Sequence, residues 1–217
     1  KYISKSGKYI STKKVIKMHI NLDKKFINTT TYVLLGWIFD AFDAFLITIM
    51  ITPIAEEFGL NFMEKALVIG ISLASTGLGG FLFGYLADKI GRRRALMFSI
   101  FTYSIFTGLT GLVTNILELL IVRFVAGLGV GGEWAAGMTL LSENVDPKIR
   151  GTMIGIVQCG WPIGVFFASL DQMFIYPVYG WRAAFYFATL PGLVLAFLGR
   201  YAPESKIWEK NFKPENE

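Results

Sequence analysis

The chain has 217 residues, 53% of them hydrophobic and only 17% charged. That balance excludes an ordinary soluble domain of this size and suits an integral membrane protein. The formal net charge of +5 does not point to nucleic acid, because the cations are gathered at a few short stretches, and the single Cys159 excludes an internal disulfide.

Residues 1–28 are polar and rich in Lys. They hold no apolar run followed by a small-residue cleavage site, so they are not a secretory signal peptide. They read as a basic cytoplasmic tail able to touch anionic headgroups, with Lys1 and Met18 as alternative starts. A transmembrane bundle over 29–200 follows, with predicted spans at about 30–52, 66–86, 95–113, 117–141, 152–173 and 181–198. Each is near the ~20 residues that cross ~30 Å of hydrocarbon. Pro53 and Glu56-Glu57 lead into an outer loop, and Thr114-Asn115 and 176–180 read as outer turns. The second span is rich in small residues, and Ala74 and Gly80 with Gly84 are candidates for close helix packing. The polar segment 201–217 reads as a cytoplasmic tail, or as the start of a linker to a missing second half.

The cations orient the bundle. Eight Lys lie in the first 25 residues, four cations at 89–94, two at Lys148 and Arg150, and four in the last segment. Those 18 fall on one side, against Lys65 and Arg182 on the other and Arg123 within a span. The positive-inside rule then predicts a multi-pass protein of the cell membrane with both termini cytoplasmic.

Ionisable side chains inside a bilayer cost ~2.5–3.5 kcal/mol each at mid-span and are rarely incidental. Asp40 and Asp43 lie deep in the first span, and their spacing of three puts them on one helix face. Two carboxylates in a low-dielectric cavity repel, and burial favours the neutral form, so one of them can take up and release a proton. Otherwise one pairs structurally with a basic group. Arg123, in the fourth span, is suited either to hold a carboxylate in a fork or to form a fixed pair with Asp40 or Asp43. Glu133 follows ten residues later on roughly the same face. Gln158 and Trp161 in the fifth span are candidates to line a cavity, although packing also accounts for Trp161. Glu118 and Asp171 fall near the outer interface and read as solvated.

Gly84-Tyr85-Leu86-Ala87-Asp88-Lys89-Ile90-Gly91-Arg92-Arg93-Arg94 is a charged, glycine-punctuated connection between two apolar runs. It resembles the signature loop between the second and third helices of the major facilitator superfamily, with Gly84, Leu86, Ala87, Asp88, Lys89, Gly91, Arg92 and Arg93 all fitting. Other stretches resemble the same superfamily: Arg123 with Gly127 and Gly131, Glu143 with Arg150-Gly151, Gly180-Trp181-Arg182, and Pro203-Glu204-Ser205. Asp40-Ala41-Phe42-Asp43 and Gly131-Gly132-Glu133-Trp134 look most like the sialic acid and lactate/pyruvate proton symporters of that superfamily, with aromatic-acid carriers next. Trp161 between Gly160 and Pro162 departs from the antiporter pattern.

The resemblance implies an all-α membrane protein: six transmembrane helices forming one half of the fold, arranged as a 3+3 inverted repeat. It implies proton-coupled symport of a small organic anion, such as a monocarboxylate or sialic acid. It places Asp40, Asp43, Arg123, Glu133, Gln158 and Trp161 at the proton and substrate site. Gly84, Asp88, Gly91, Arg92, Arg93, Glu143, Arg150 and Glu204 fall at the inner gate. The family has twelve spans, so the implied partners are membrane lipid, the anion, the proton and a second six-helix half. The alternatives are a sugar or aromatic-acid porter, or a truncated half that does not transport alone. An intramembrane enzyme is not expected. The one histidine, His19, lies in the polar tail and no lysine lies in a span, so no catalytic residues, cofactor or metal ligands are assigned.

Overall fold

The computed structural model describes residues 2–3, 9–10 and 24–211. Most of the predicted tail at 1–28, and the end of the segment 201–217, lie outside the described residues. Two short strands, β1 (Tyr2–Ile3) and β2 (Tyr9–Ile10), pair antiparallel. The rest is helical: α1 (Lys24–Phe58), α2 (Phe62–Ile90), α3 (Arg92–Thr110), α4 (Ile116–Asn144), α5 (Arg150–Gln158), α6 (Gly160–Phe174), α7 (Tyr176–Leu198), a 3-10 turn (Gly199–Tyr201) and α8 (Lys206–Asn211).

The helix starts follow local chemistry. Asn61 accepts from the Glu64 N–H while the Glu64 side chain accepts from the Asn61 N–H, a reciprocal cap that opens α2. Asn115 caps α4 by accepting from the Glu118 N–H, while the Glu118 carboxylate accepts from the Thr114 N–H and hydroxyl. The signature stretch is tighter than a loop. Asp88 and Lys89 are still helical, and Gly91 alone makes the turn, at φ 104°. Only glycine adopts that backbone without strain.

The predicted fifth span is two helices, broken at Cys159. Pro162 has no N–H for the Gln158 carbonyl, and its ring crowds that carbonyl. The turn predicted at 176–180 is instead the first turn of α7, started by Pro177 and bent at Gly180, where φ is 80°.

α4 is the central helix. It packs on α2 and α3, while α1 packs on α6 and α3 on α7. The α2–α4 crossing is backbone on backbone: a Cβ at Gly131 would overlap the Thr76 carbonyl, and one at Gly79 the Leu128 carbonyl. The close approach falls on Gly79, which was not singled out, and on Gly80, whose backbone N would stand 2.7 Å from a Cβ at Gly131. Gly84 has only an ordinary contact, at 3.9 Å to Ala135.

Four helical segments are long and apolar enough to cross a membrane: Lys24–Phe58, Phe62–Ile90, Arg150–Phe174 and Tyr176–Tyr201. α3 and α4 are not among them. α3 has only 19 residues and opens on three arginines. α4 carries Glu118, Arg123 and Glu133.

The packing makes a prediction. Gly131→Val forces α2 and α4 apart, and the overpacking cost is about 3 kcal/mol or more. Size-exclusion chromatography and thermal melting in detergent should show a sharp loss of folded protein. Gly155→Val, at a position with open space around it, should melt near the parent.

Candidate functional site

Arg123 on α4 and Asp43 on α1 are 1% and 2% exposed. The guanidinium grips the carboxylate as a fork, Nη1 to Oδ1 at 3.1 Å and Nη2 to Oδ2 at 3.0 Å. The Thr107 hydroxyl of α3 donates to the same Oδ1. The fork leaves the Arg123 Nε without a partner. Of the two pairings left open by the sequence, the structure takes Asp43. Sequence reasoning missed Thr107, since a threonine in an apolar run gives no signal until its neighbours are known.

Asp40 lies one turn away on α1, 1% exposed, and its Oδ1 has no hydrogen bond. Glu133 is equally buried, with both carboxylate oxygens unpartnered. It fits against the bare backbone of α1: a Cβ at Gly36 would stand 2.7 Å from its Oε1. Glu133 and Arg123 thus both face α1, but the ten residues between them separate them by about 15 Å at 1.5 Å per residue. The Tyr103 and Tyr32 hydroxyls, also buried, lack partners as well. An interior strip of polar atoms therefore runs between α1, α3 and α4.

The Asp43–Arg123 pair forms one wall of a crevice of about 240 Å³ between α1, α2, α4 and α6. Thr48, Ser72 and Thr76 add hydroxyls, and Phe45 and Trp161 add aromatic surface. Trp161 stacks on Trp37 with ring centroids 4.9 Å apart, and Trp37 on Trp134 at 4.7 Å. Trp161 is thus both packed and at the crevice. Gln158 is exposed at the end of α5 and contributes nothing to the crevice lining.

A second charged cluster sits where α2 meets α3. The Arg92 side chain is 6% exposed and bonds Asp88 at 2.8 Å and Glu143 at 3.2 Å. Glu204 accepts from the Arg93 backbone N–H at 3.0 Å, and a Cβ at Gly91 would stand 2.5 Å from its Oε2. The Arg93 guanidinium reaches the Arg200 and Ala202 carbonyls, and the Trp208 indole donates to the Asp88 carbonyl at 2.8 Å. Asp88, Gly91, Arg92, Arg93, Glu143 and Glu204 are brought together. Gly84 lies inside α2 beside Ala135, and the half-buried Arg150 shows no ion pair to Glu143.

At the opposite end, Glu57 accepts from Arg182 at 2.6 Å and from the Trp181 indole at 2.8 Å. Hydrogen bonds from Arg182 and then Trp181 hold its carboxyl below the ordinary carboxylate value. The Gly180-Trp181-Arg182 motif was legible, but its partner read only as an acidic loop residue. Asp171, read as solvated, is 5% exposed with neither oxygen hydrogen-bonded. It lines an open depression together with aromatic residues of α1, α6 and α7, including Phe42, Phe174 and Phe187.

An all-helical bundle with membrane-length apolar helices and charges buried beside a crevice defines a polytopic membrane protein. The chain belongs to the Major Facilitator Superfamily, whose family profile matches residues 33–217. It is 35% identical over 175 residues to the putative niacin/nicotinamide transporter NiaP of Bacillus subtilis (strain 168), across 81% of this chain and 44% of that relative. It is 33% identical over 183 residues to the sialic acid transporter NanX of Escherichia coli (strain K12), across 84% and 45%. The chain thus spans about half the length of the curated relatives it matches. Its fold superposes on the partially occluded, inward-open xylose transporter XylE from E. coli with a TM-score of 0.77, at 21% identity, covering 87% of this chain and 51% of that one.

Two predictions follow from this geometry. Asp43→Ala leaves Arg123 buried without its counter-charge and should lower stability by about 3–5 kcal/mol. Asp43→Leu combined with Arg123→Met should recover most of that loss in detergent melting curves, because it removes both charges together. At the outer cluster, the depressed Glu57 value means that its contribution is present above the ordinary carboxylate pKa and is lost as pH falls through the lower folded value. Indole fluorescence followed from neutral to acid pH should show a transition below the ordinary carboxylate range that Glu57→Gln removes.

Proposed function

We propose that this chain forms one six-span half of a proton-coupled symporter for small organic anions. The observation that carries the proposal is the Arg123–Asp43 fork on the crevice wall. A guanidinium fork fits a substrate carboxylate as well as it fits Asp43. Relatives named for niacin and sialic acid, both carboxylic acids, support that substrate class.

The exchange is simple in charge terms. A proton on Asp43 cancels its charge and loosens the fork. Arg123 then holds the incoming carboxylate, with the crevice hydroxyls and the Trp161 face beside it. Loss of the proton to the other side restores Asp43 as the competitor, and the anion leaves. Asp40 and Glu133 are further buried carboxyls able to take part in proton transfer. Gln158 would face substrate only with a second bundle opposite the crevice.

In this reading all six predicted spans cross the cell membrane over 29–200, with 1–28 and 201–217 in the cytoplasm as the cation asymmetry favours. A second six-helix half closes the crevice, and the two rock against each other. The Asp88–Arg92–Glu143 and Glu204–Arg93 contacts are then inner-face bonds that break and re-form as the halves move, with Gly84 and Arg150 at the same face.

The test is uptake of labelled nicotinate, sialic acid, lactate and xylose into cells expressing the complete carrier. Uptake of the anions should collapse with a protonophore. Asp43→Asn and Arg123→Ala should each reduce proton-driven uptake to background while the protein still inserts. Xylose uptake without anion uptake, or wild-type rates in both variants, would sink the assignment.

A further inference from the structure

α3 and α7 pack side by side and contribute nothing to the lining of the Asp43–Arg123 crevice. On their other face they enclose a groove of about 470 Å³. Its base is Met97 and the buried Ala196, and its sides are Phe98, Phe101 and Phe197, which are 55%, 48% and 67% exposed. Arg94, in the first turn of α3, and Arg200, just after α7, both line it at the same end. The Arg200 guanidinium lies over the rings of Phe197 and Tyr201, 4.9 and 4.7 Å from their centroids. Its backbone is pinned, because its carbonyl accepts from Arg93 Nη1 at 3.1 Å.

We propose that this groove is a binding site for an anionic phospholipid, with the phosphate between Arg94 and Arg200 and an acyl chain along Phe98, Phe101 and Phe197. The shape suits a lipid, being apolar along its length and cationic at one end. Guanidinium forks match phosphate oxygens, and two of them on one phosphate leave its negative charge fully countered. A zwitterionic headgroup would bring its own cation to the same place. An acyl chain gains little by leaving lipid for an equally apolar groove, so the headgroup sets the preference. Stacking on Phe197 and Tyr201 holds the Arg200 head near the groove mouth and lowers the ordering cost of binding. That the arginine end lies in the inner leaflet rests on the orientation proposed above. The binding itself does not.

The experiment is native mass spectrometry of the purified, delipidated full chain in detergent, titrated with dioleoylphosphatidylglycerol or dioleoylphosphatidylcholine. The wild-type protein should retain phosphatidylglycerol more tightly by on the order of 30-fold, from about 1 kcal/mol for each basic side chain at an anionic surface. Arg94→Gln with Arg200→Gln should erase the preference, and Arg94→Gln alone should reduce it by about 5-fold. Ala196→Phe, which fills the base, should weaken retention of both lipids. Glycerol phosphate should not displace the bound lipid at matching concentrations. Equal retention of the two lipids by the wild type, or a preference that survives loss of both arginines, overturns the proposal. So does a lipid-free dimer dispersed by Ala196→Phe, which would give the face to a second copy of the chain.

Discussion

The structure depends on a charge pair that has no reason to exist for stability alone. Taking a guanidinium and a carboxylate out of water costs several kcal/mol per ion, and their attraction returns that only with good geometry and extra hydrogen bonds. Asp43 meets the condition through its fork to Arg123 and the Thr107 hydroxyl. Arg123 meets it only in part, since its Nε has no acceptor. A matched pair of apolar side chains would hold α1 to α4 at less cost. In the proposed carrier the ionic contact offers two states instead, because a proton on Asp43 would remove the attraction and leave a cation in need of an anion. The surrounding bundle would then have to keep both states folded.

That requirement explains the contrast between the two faces of α4. Toward α2 the contact is glycine against backbone, at Gly131 with Thr76 and Gly79 with Leu128. Such packing cannot slide without steric overlap, so α2 and α4 move as one body. Toward α1 the contact is polar and incompletely satisfied, from the Asp43 fork past Asp40 to Glu133 over Gly36. Rigidity is thus concentrated away from the charges, and Asp43, Asp40 and Glu133 face a single interface.

The family and the helical architecture were legible because they are written in local pattern. Apolar run length gave the helices, and Gly84 to Arg94 gave the connection between the second and third. The cap at Asn115 fell at the end of a predicted outer turn, while the cap at Asn61 opens the second helix at Phe62, ahead of the predicted start at 66. Contacts between distant segments were legible only as groupings, Arg123 with Asp40 or Asp43 and Asp88, Arg92, Glu143 and Glu204 at one face. Nothing in the sequence chooses Asp43 over Asp40 for Arg123, because the two carboxylates differ by one helical turn and the choice is made by where α4 crosses α1. Thr107 and Glu57 were missed for the same reason, their partners lying 64 and 124 residues away. The break at Cys159 was foreseeable from Pro162 but hidden by the unbroken hydropathy around it. Asp171 reads as a solvated interface residue by position, yet it is buried beside aromatic residues from three helices.

The same ionic chemistry appears at the α2–α3 turn, and solvent access makes it a different device. Arg92 is buried, but Asp88 is 58% exposed and Glu143 17%. Water reaches Asp88, so its bond to Arg92 contributes little, whereas the bond between Arg92 and Glu143 is largely shielded. Geometry, and not charge alone, makes it specific. Gly91 turns the chain at φ 104°, and the missing Cβ leaves room for the Glu204 carboxylate to reach the Arg93 N–H. Any other residue there would strain the turn and push Glu204 away in one step. The glycine therefore couples the shape of the turn to the attachment of the segment after α7, which Trp208 extends by bonding the Asp88 carbonyl. In the proposed carrier, a contact demanding in shape suits a junction that releases and re-forms, whereas the buried Asp43–Arg123 pair suits one that responds to a proton.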